Sequence, residues 1–320
     1  MFFNSVTVAF VIAVAVLLGL LLFLIREVRR PVALGEPRNP RWRRRLRIGV
    51  DAFILLLGLL AFWAFLVEPN RLVVRRQTIQ IANWPRELNG LKVAVLSDIH
   101  ADGWSVNYKK LQSIVERTNE LQPELIVILG DYMSSEGLTT RVVYPEEFAP
   151  VLKNLHAPLG VYSVLGNHDC WYDCDKVGEV LKQHGIKVLE NEAVQLNVRG
   201  TSLWLVGLGD LWTQAQKIDE TIGKVPQGTA SIALAHNPDV FPQLPQRVPL
   251  LLSGHTHGGQ VRFPIIGSVV HSSKFGERYT MGHVFENNHH LFVTTGIGTS
   301  IMPVRFGVTP EIVLLTLESQ

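Results

Sequence analysis

Residues 91–100 read Leu-Lys-Val-Ala-Val-Leu-Ser-Asp-Ile-His, and this stretch sets the terms for everything downstream. Leu91–Leu96 is a short, nearly continuous apolar run, the mark of a strand buried on both faces as in the parallel sheets of α/β proteins. It runs straight into a carboxylate, Asp98, and an imidazole, His100. The same figure recurs along the chain. Leu125–Leu129 leads to Gly130-Asp131, and Val161–Leu165 to Gly166-Asn167-His168-Asp169; Ser231–Ala235 leads to His236, and Leu250–Ser253 to Gly254-His255-Thr256-His257. Leu203–Gly207 reads as a further buried strand. Between them Tyr108–Leu121, Pro145–Leu155 and Lys176–Gln183 read as helices, the first with Leu111, Ile114, Val115 and Thr118 at helical spacing. Strand–helix alternation implies an α/β body with much parallel pairing. After about residue 257 the pattern turns to strand and loop, ending with Leu291–Thr295 and Val308–Leu317.

Ligands of open α/β sheets bind in the crevice outside the carboxyl ends of the strands. Here five strand ends each deliver a side chain capable of binding metal or moving a proton. A buried carboxylate without compensation costs several kcal/mol, so Asp98 and Asp131 call for positive charge, which a pair of metal ions supplies directly. The alternative for a buried histidine is an ordinary hydrogen-bonded core residue. That reading suits His156, His184, His271, His283, His289 and His290. It does not suit five histidines falling at strand ends.

In order, Ser97-Asp98-Ile99-His100, Gly130-Asp131, Gly166-Asn167-His168-Asp169, His236 and Gly254-His255-Thr256-His257 resemble the signature of the calcineurin-like metallophosphoesterase superfamily, over roughly residues 91–316. The extended Ser253–Gln260 block is most similar to its bacterial membrane-associated branch, which holds exported phosphodiesterases and relatives of UDP-diacylglucosamine hydrolases. The resemblance implies a four-layer αββα sandwich and two metal ions (Mn, Fe or Zn) that activate water against a phosphodiester or pyrophosphate. It implies Asp98, His100 and His257 on one metal, Asn167, His236 and His255 on the other, and Asp131 bridging. His168 would protonate the leaving group with Asp169 holding its ring. Mixed oxygen and imidazole donors suit Mn, Fe or Zn better than Mg or Ca. Gly130, Gly166 and Gly254 would let the backbone turn at the strand ends. One departure is that Tyr132-Met133-Ser134 stand where many relatives carry a third acid or a histidine.

Charge and hydropathy describe the other end of the chain. Of a net +2, nine arginines against Glu27 and Glu36 put +7 between Arg26 and Arg47, and residues 1–25 carry no ionisable side chain, which leaves −5 for everything after residue 47. An acidic body is the wrong partner for nucleic acid. Val6–Ile25 and Ile48–Val67 are apolar runs, the second broken only by Asp51. Each has about the twenty residues a helix needs to cross roughly 30 Å of hydrocarbon. No basic segment precedes the first run, which speaks against a signal peptide. The reading is a two-helix anchor over residues 1–70 (spans 6–25 and 48–67, connector 26–47), a linker and edge strand over 71–90, and a catalytic domain over 91–320. The arginine-rich connector places itself in the cytoplasm and the body outside it, in a bacterial inner membrane. The two cysteines, Cys170 and Cys174, are compatible with a disulfide there.

The segment Arg262–Tyr279 carries Phe263, Ile265, Ile266, Val269, Val270 and Phe275. Either it packs on the sheet as an ordinary loop, or it forms an apolar rim toward the bilayer, with Arg262, Arg278 and Tyr279 contacting phosphate. Tethering favours a membrane-resident, lipid-linked substrate. The competing readings are a phosphoesterase or nucleotidase of soluble substrates, a cytoplasm-facing UDP-diacylglucosamine pyrophosphohydrolase, and a non-catalytic membrane scaffold.

Overall fold

The structure is a computed structural model that describes residues 19, 22, 23, 25, 26, 41–103, 105–134 and 142–320. Residues 6–18 of the expected first span, and connector residues 27–40, lie outside the described residues. The chain divides into two compact units, Met1–Ala64 and Phe65–Gln320. In the first unit the described element is helix α1, Arg41–Phe62. Arg44–Asn70 is the one segment among the described residues that is long and apolar enough to cross a membrane.

The second unit is built on two six-stranded sheets. The first has the order β1 (Val73–Ile81), β14 (Glu311–Ser319), β2 (Leu91–Leu96), β3 (Leu125–Ile128), β4 (Val161–Ser163), β5 (Lys187–Val188). The second has the order β12 (Gly282–Glu286), β13 (His289–Val293), β9 (Leu250–Ser253), β8 (Ala230–Leu234), β7 (Thr201–Gly207), β6 (Glu192–Val198). The runs β2–β3–β4 and β7–β8–β9 are parallel, so their carboxyl ends share a direction within each sheet. A small hairpin, β10 (Arg262–Phe263) with β11 (Gly267–Ser268), stands apart from both.

Three buried clusters give the layering. Val93, Val95, Leu125 and Val127 from the first sheet meet Leu205, Ile232, Leu250, Leu252 and Phe292 from the second in the space between the sheets. The alternate residues Ala94, Leu96, Ile126 and Ile128 face outward onto helices α2 (Tyr108–Glu120), α3 (Pro145–Leu152) and α4 (Asn167–Gln183). On the far side Val206, Ala233 and Leu251 pack against α5 (Ile218–Gly223) and the turn Pro238–Gln243. Strands covered on both faces must be apolar at every position, which is why the five runs were continuous rather than alternating.

Several boundaries move. The helix expected from Lys176 begins at Asn167, with one extended residue, Asp173, interrupting it; Asn167, His168 and Asp169 therefore lie on its first turn and not on a loop. β6 alternates exposed and buried residues as an antiparallel edge strand, a weaker signal than a buried run. The segment read as a linker and edge strand over 71–90 holds β1, the edge strand of the first sheet, which pairs along its whole length with β14, nine residues to nine. Leu315 of β14 is fully buried between the sheets. Leu315→Ala is expected to cost about 2–5 kcal/mol of stability, read as a lowered denaturation midpoint of the purified protein; an unchanged midpoint would contradict this placement of β14.

Candidate metal centre

The carboxyl ends of β2, β3 and β4 in one sheet and of β8 and β9 in the other meet at a single buried cluster. Asp98 Oδ1 lies 3.3 Å from His257 Nε2, which lies 3.1 Å from His100 Nε2. Asp131 Oδ2 lies 3.1 Å from His236 Nε2 and 3.4 Å from His100 Nε2, and His236 Nε2 is 3.2 Å from His255 Nδ1. Asp98, His100 and His257 make one group able to hold a cation, and Asp131, His236 and His255 make a second. The ligand atoms of His100, Asp131 and His168 also lie within 4.8 Å of one another. Asn167 is buried beside this cluster, and its Oδ1 finds no hydrogen-bond donor.

The chemistry of the donors shows what belongs there. His100 Nδ1 is 2.8 Å from the carbonyl of Met133, and His236 Nδ1 is 2.7 Å from that of Leu129. A carbonyl only accepts, so each Nδ1 carries the proton and, in the neutral ring, each Nε2 presents its lone pair. Those lone pairs are aimed at carboxylate oxygens and at one another. His255 Nε2 and His257 Nδ1 are buried without partners as well. Electron pairs facing electron pairs at about 3 Å in a dry site need a cation between them. The residues present therefore fit divalent metal ions. Burial lowers the pKa of His100 and of His255 to about 3 and holds that of His257 well below its usual value, so these rings stay neutral and ready to ligate at pH 7. Burial also raises Asp98, while in Asp131 the surrounding histidines outweigh burial and hold the carboxyl well below its usual range. His236 shows the unmet demand: burial opposes its charge, yet Asp131 and Asp98 drive it up to about 10, a proton answering where a metal would.

Backbone geometry marks the same residues. Asp98, His100, Asp131, His255 and His257 all have φ between 43° and 70°, the left-handed region that side chains other than glycine rarely adopt. Five strained residues, on the three turns after β2, β3 and β9, converge on one site. The glycines beside them act by two means. Gly130 turns the chain at φ 88°. Gly166 and Gly254 do not turn it; a Cβ on Gly166 would strike the Asp131 carboxylate, and one on Gly254 would strike Ser97 and Asp98. Their function is clearance, which corrects the turning role expected of them.

Asp169 also has a different task from the one expected. Its two carboxylate oxygens accept from four backbone amides, those of Asp131, Tyr132, Met133 and Gly166, at 2.9–3.0 Å. It holds the Asp131 loop rather than the His168 ring. His168 Nε2 stands 4.0 Å from Asp131 Oδ2, and its ring packs at 4.7 Å on Trp171. Of the expected phosphate contacts, Arg278 and Tyr279 are engaged by Glu286, at the end of β12 away from the strand ends that carry the cluster, and line a separate cleft with Phe241 and Leu244. Arg262 pairs with Glu277. None of the three is brought to the metal centre by its side chain. The remaining six histidines lie outside the cluster, His283 stacked on His290 among them.

Other residues at the site escaped the sequence reading. Trp171 and Trp212, more than half exposed, stand 6.4 Å apart, one against His168 and the other 4.4 Å from His255. The buried Asp210 accepts from the amides of Trp212 and Thr213, and raises the pKa of His168 and His236. Arg305, fully buried, donates to the carbonyls of Thr295 and Gly298 and faces the charge of Asp98. Cys170 and Cys174 are joined to each other, bracketing Trp171. A strand-end Gly209-Asp210 was the available signal for one of these; nothing in the sequence marks the others.

The family model of the calcineurin-like phosphoesterases matches residues 91–259. The chain is 29% identical over 260 residues to "Uncharacterized metallophosphoesterase YkuE" of Bacillus subtilis, covering 80% of this chain and 89% of that protein. It is 32% identical over 232 residues to "Phosphodiesterase YaeI" of Escherichia coli, covering 71% and 82%. To "Transmembrane protein with metallophosphoesterase domain" of Danio rerio it is 31% identical over 318 residues, covering 94% and 68%. Chelator treatment is expected to lower the melting temperature of the protein and added Mn²⁺ to restore it, the restoration reaching about 4 kcal/mol at a free concentration a thousandfold above Kd. Asp131→Asn should respond weakly to either. A wild-type protein that holds no metal by elemental analysis, and whose melting ignores both reagents, would refute this centre.

Proposed function

We propose, from the premise that this chain belongs to the calcineurin-like phosphoesterase family, that it is a membrane-anchored hydrolase of phosphodiester or pyrophosphate bonds in a lipid or envelope component. The observation that carries the reading is the meeting of two carboxylates and four lone-pair imidazoles with Asn167 and His168 in one buried cluster. A relative named as a phosphodiesterase supports the diester class. Relatives named as transmembrane proteins support the anchor. A non-catalytic scaffold has no use for such a costly arrangement.

Asp98, His100 and His257 would hold one metal ion, Asn167, His236 and His255 another, and Asp131 would serve both. When bound, such ions supply Lewis-acid charge for phosphoryl oxygens and lower the pKa of water toward neutrality. The chain supplies the rest. Met133 and Leu129 carbonyls fix the His100 and His236 rings in the ligating tautomer. Asp169 locks the Asp131 turn against the first turn of α4, so ligand and acid move as one piece. Burial depresses the pKa of His168, and Asp131 and Asp210 pull it back up. A phosphate anion arriving beside it adds negative charge and favours the protonated ring, which can then pass the proton of its Nε2 to the leaving-group oxygen. Trp171 and Trp212 flank His168 and His255.

The anchor reading is supported by α1 and its continuation to Asn70, with the arginines at 41, 43, 44, 45 and 47 in the first turns of that helix. With a second span over residues 6–25, the short basic connector faces the cytoplasm and the body lies outside it. Phosphohydrolysis of soluble nucleotides is the second reading, favoured by the exposed indoles, on which a base can stack.

His168→Ala is expected to lower kcat by about 10²–10⁴-fold with metal content unchanged; near-normal turnover would remove the assigned acid. Against a panel of lipid-linked and soluble phosphates in micelles, the lipid-linked diesters should react fastest. A preference for soluble nucleotides would select the second reading. A reporter fused to the C-terminus should be active outside the cytoplasm; cytoplasmic activity would instead suit a nucleotide-linked lipid precursor.

A further inference from the structure

The segment Arg262–Tyr279 divides in the structure. Phe275 packs inward against Tyr279, as one sequence alternative held for the whole segment. The tip of the β10–β11 hairpin does the reverse: Ile265 is 107% exposed and Ile266 77%, with Phe263 and Pro264 exposed beside them. A second apolar tip, unmarked in the sequence, stands on another loop: Ile301 is 76% exposed and Met302 42%. Both tips carry an isoleucine in the left-handed region, Ile265 at φ 75° and Ile301 at φ 65°. A β-branched residue is the worst choice for that conformation, and an isoleucine the worst choice for full exposure to water. Asparagine or glycine would relieve both. Two loops that make the same unfavourable choice are matched to surroundings that are not water.

The two tips are tied to each other and to the end of the membrane-crossing segment. Gln260, at the base of the hairpin, donates from Nε2 to the Ser300 carbonyl and accepts from the Ser300 amide, at 3.1 and 2.5 Å. Phe306, just past the second tip, bonds Gln260 and Arg262 through its backbone and lays its ring 5.4 Å from that of Phe263. The next residue, Gly307, donates 3.0 Å to Glu68, within the last turn of Arg44–Asn70. Phe65 and Leu66, which belong to the body's compact unit, are exposed there too. An apolar surface of this kind on a monomer marks an interaction site.

We propose that the Phe263–Ile266 and Ile301–Met302 tips are immersed in the acyl region of the bilayer, a second attachment of the catalytic body beside the exit of its anchor. The bilayer is the occupant because the surface is continuous with a segment already in it. The inference rests on the membrane-anchored reading and not on the chemistry at the metals. Its consequence is positional. The hairpin leaves the site three residues after His257, and the other loop leaves at Gly298, whose amide bonds the Asp98 carbonyl at 2.6 Å. Immersing both tips holds the Asp98–His100–His257 side of the centre at the headgroup layer, where a lipid phosphate lies.

The test uses the full chain, reconstituted in vesicles of phosphatidylethanolamine and phosphatidylglycerol. The disulfide leaves no free thiol among the described residues, so single-cysteine variants Ile265→Cys and Ile301→Cys can be spin-labelled, with Lys153→Cys, exposed at the end of α3, as the aqueous reference. Met302→Cys replaces Ile301→Cys if the latter fails to assemble. Labels at both tips should collide with dissolved oxygen at least tenfold more, relative to a water-soluble nickel chelate, than the label at 153. Tip labels as open to the nickel chelate as the reference overturn the proposal, as do labels shielded from both reagents, the signature of contact with a second copy. The readout needs no turnover, so an enzyme that hydrolyses none of the panel would fail the proposed function and leave this result standing.

Discussion

Every feature of the catalytic body answers to one electrostatic constraint: carboxylates and lone-pair nitrogens are pressed together at about 3 Å where water does not reach. Short of a second proton on His236, no hydrogen is on hand to relieve that convergence. The two Nδ1 protons are committed to the Met133 and Leu129 carbonyls, so in the neutral rings the Nε2 atoms have no hydrogen to offer the carboxylates they face. The site is built as a deficit, and a cation is what completes it. Such an arrangement costs stability until the ion arrives, because unpaired buried polar atoms each cost on the order of 1–3 kcal/mol. The two flanking cores have to offset it.

Meeting the constraint requires the strands to stop and turn hard. A strand alternates its side chains between two faces, so a ligand in continued β conformation would point into one core or the other. The left-handed turn at Asp98, His100, Asp131, His255 and His257 aims each side chain along the strand axis instead, into the rim where the sheets meet. Tight approach of the loops then demands missing side chains, and Gly166 and Gly254 give way to the carboxylates they adjoin. Asp169 closes the arrangement with four amide hydrogen bonds. Strain and clearance serve one geometry.

How much of this was legible follows from what kind of signal each part leaves. The buried parallel strands and their terminal Asp, Asn and His residues were readable, because two-sided burial forces a continuous apolar run and a metal site forces particular residue types. The edge strand β6 and the two-residue β5 were not, since an exposed edge leaves only a weak alternation. Arg278 and Tyr279 were expected at the phosphate because a cation near the motif is all that sequence offers; their partner, Glu286, is brought by hairpin pairing that sequence does not register. Trp171 and Trp212 were missed for the converse reason. They are forty-one positions apart and ordinary by themselves, and only the approach of α4 to the loop after β7 makes them a pair.

The same reasoning links Glu68 and β1 to the Asp98 turn. Glu311 opens β14 and accepts from Thr294 Oγ1 and the Thr295 amide, while its other oxygen pairs with Arg75 of β1 at 2.7 Å. Arg305 gathers the Thr295 and Gly298 carbonyls on the same loop, and its buried charge, lowered to about 10 by desolvation, is supported by Asp98, Glu311 and Glu68. Gly296 of that loop lies so close to Asp98 that a Cβ there would strike the carboxylate stem. Glu68 and Arg75 therefore brace the turn that presents Asp98.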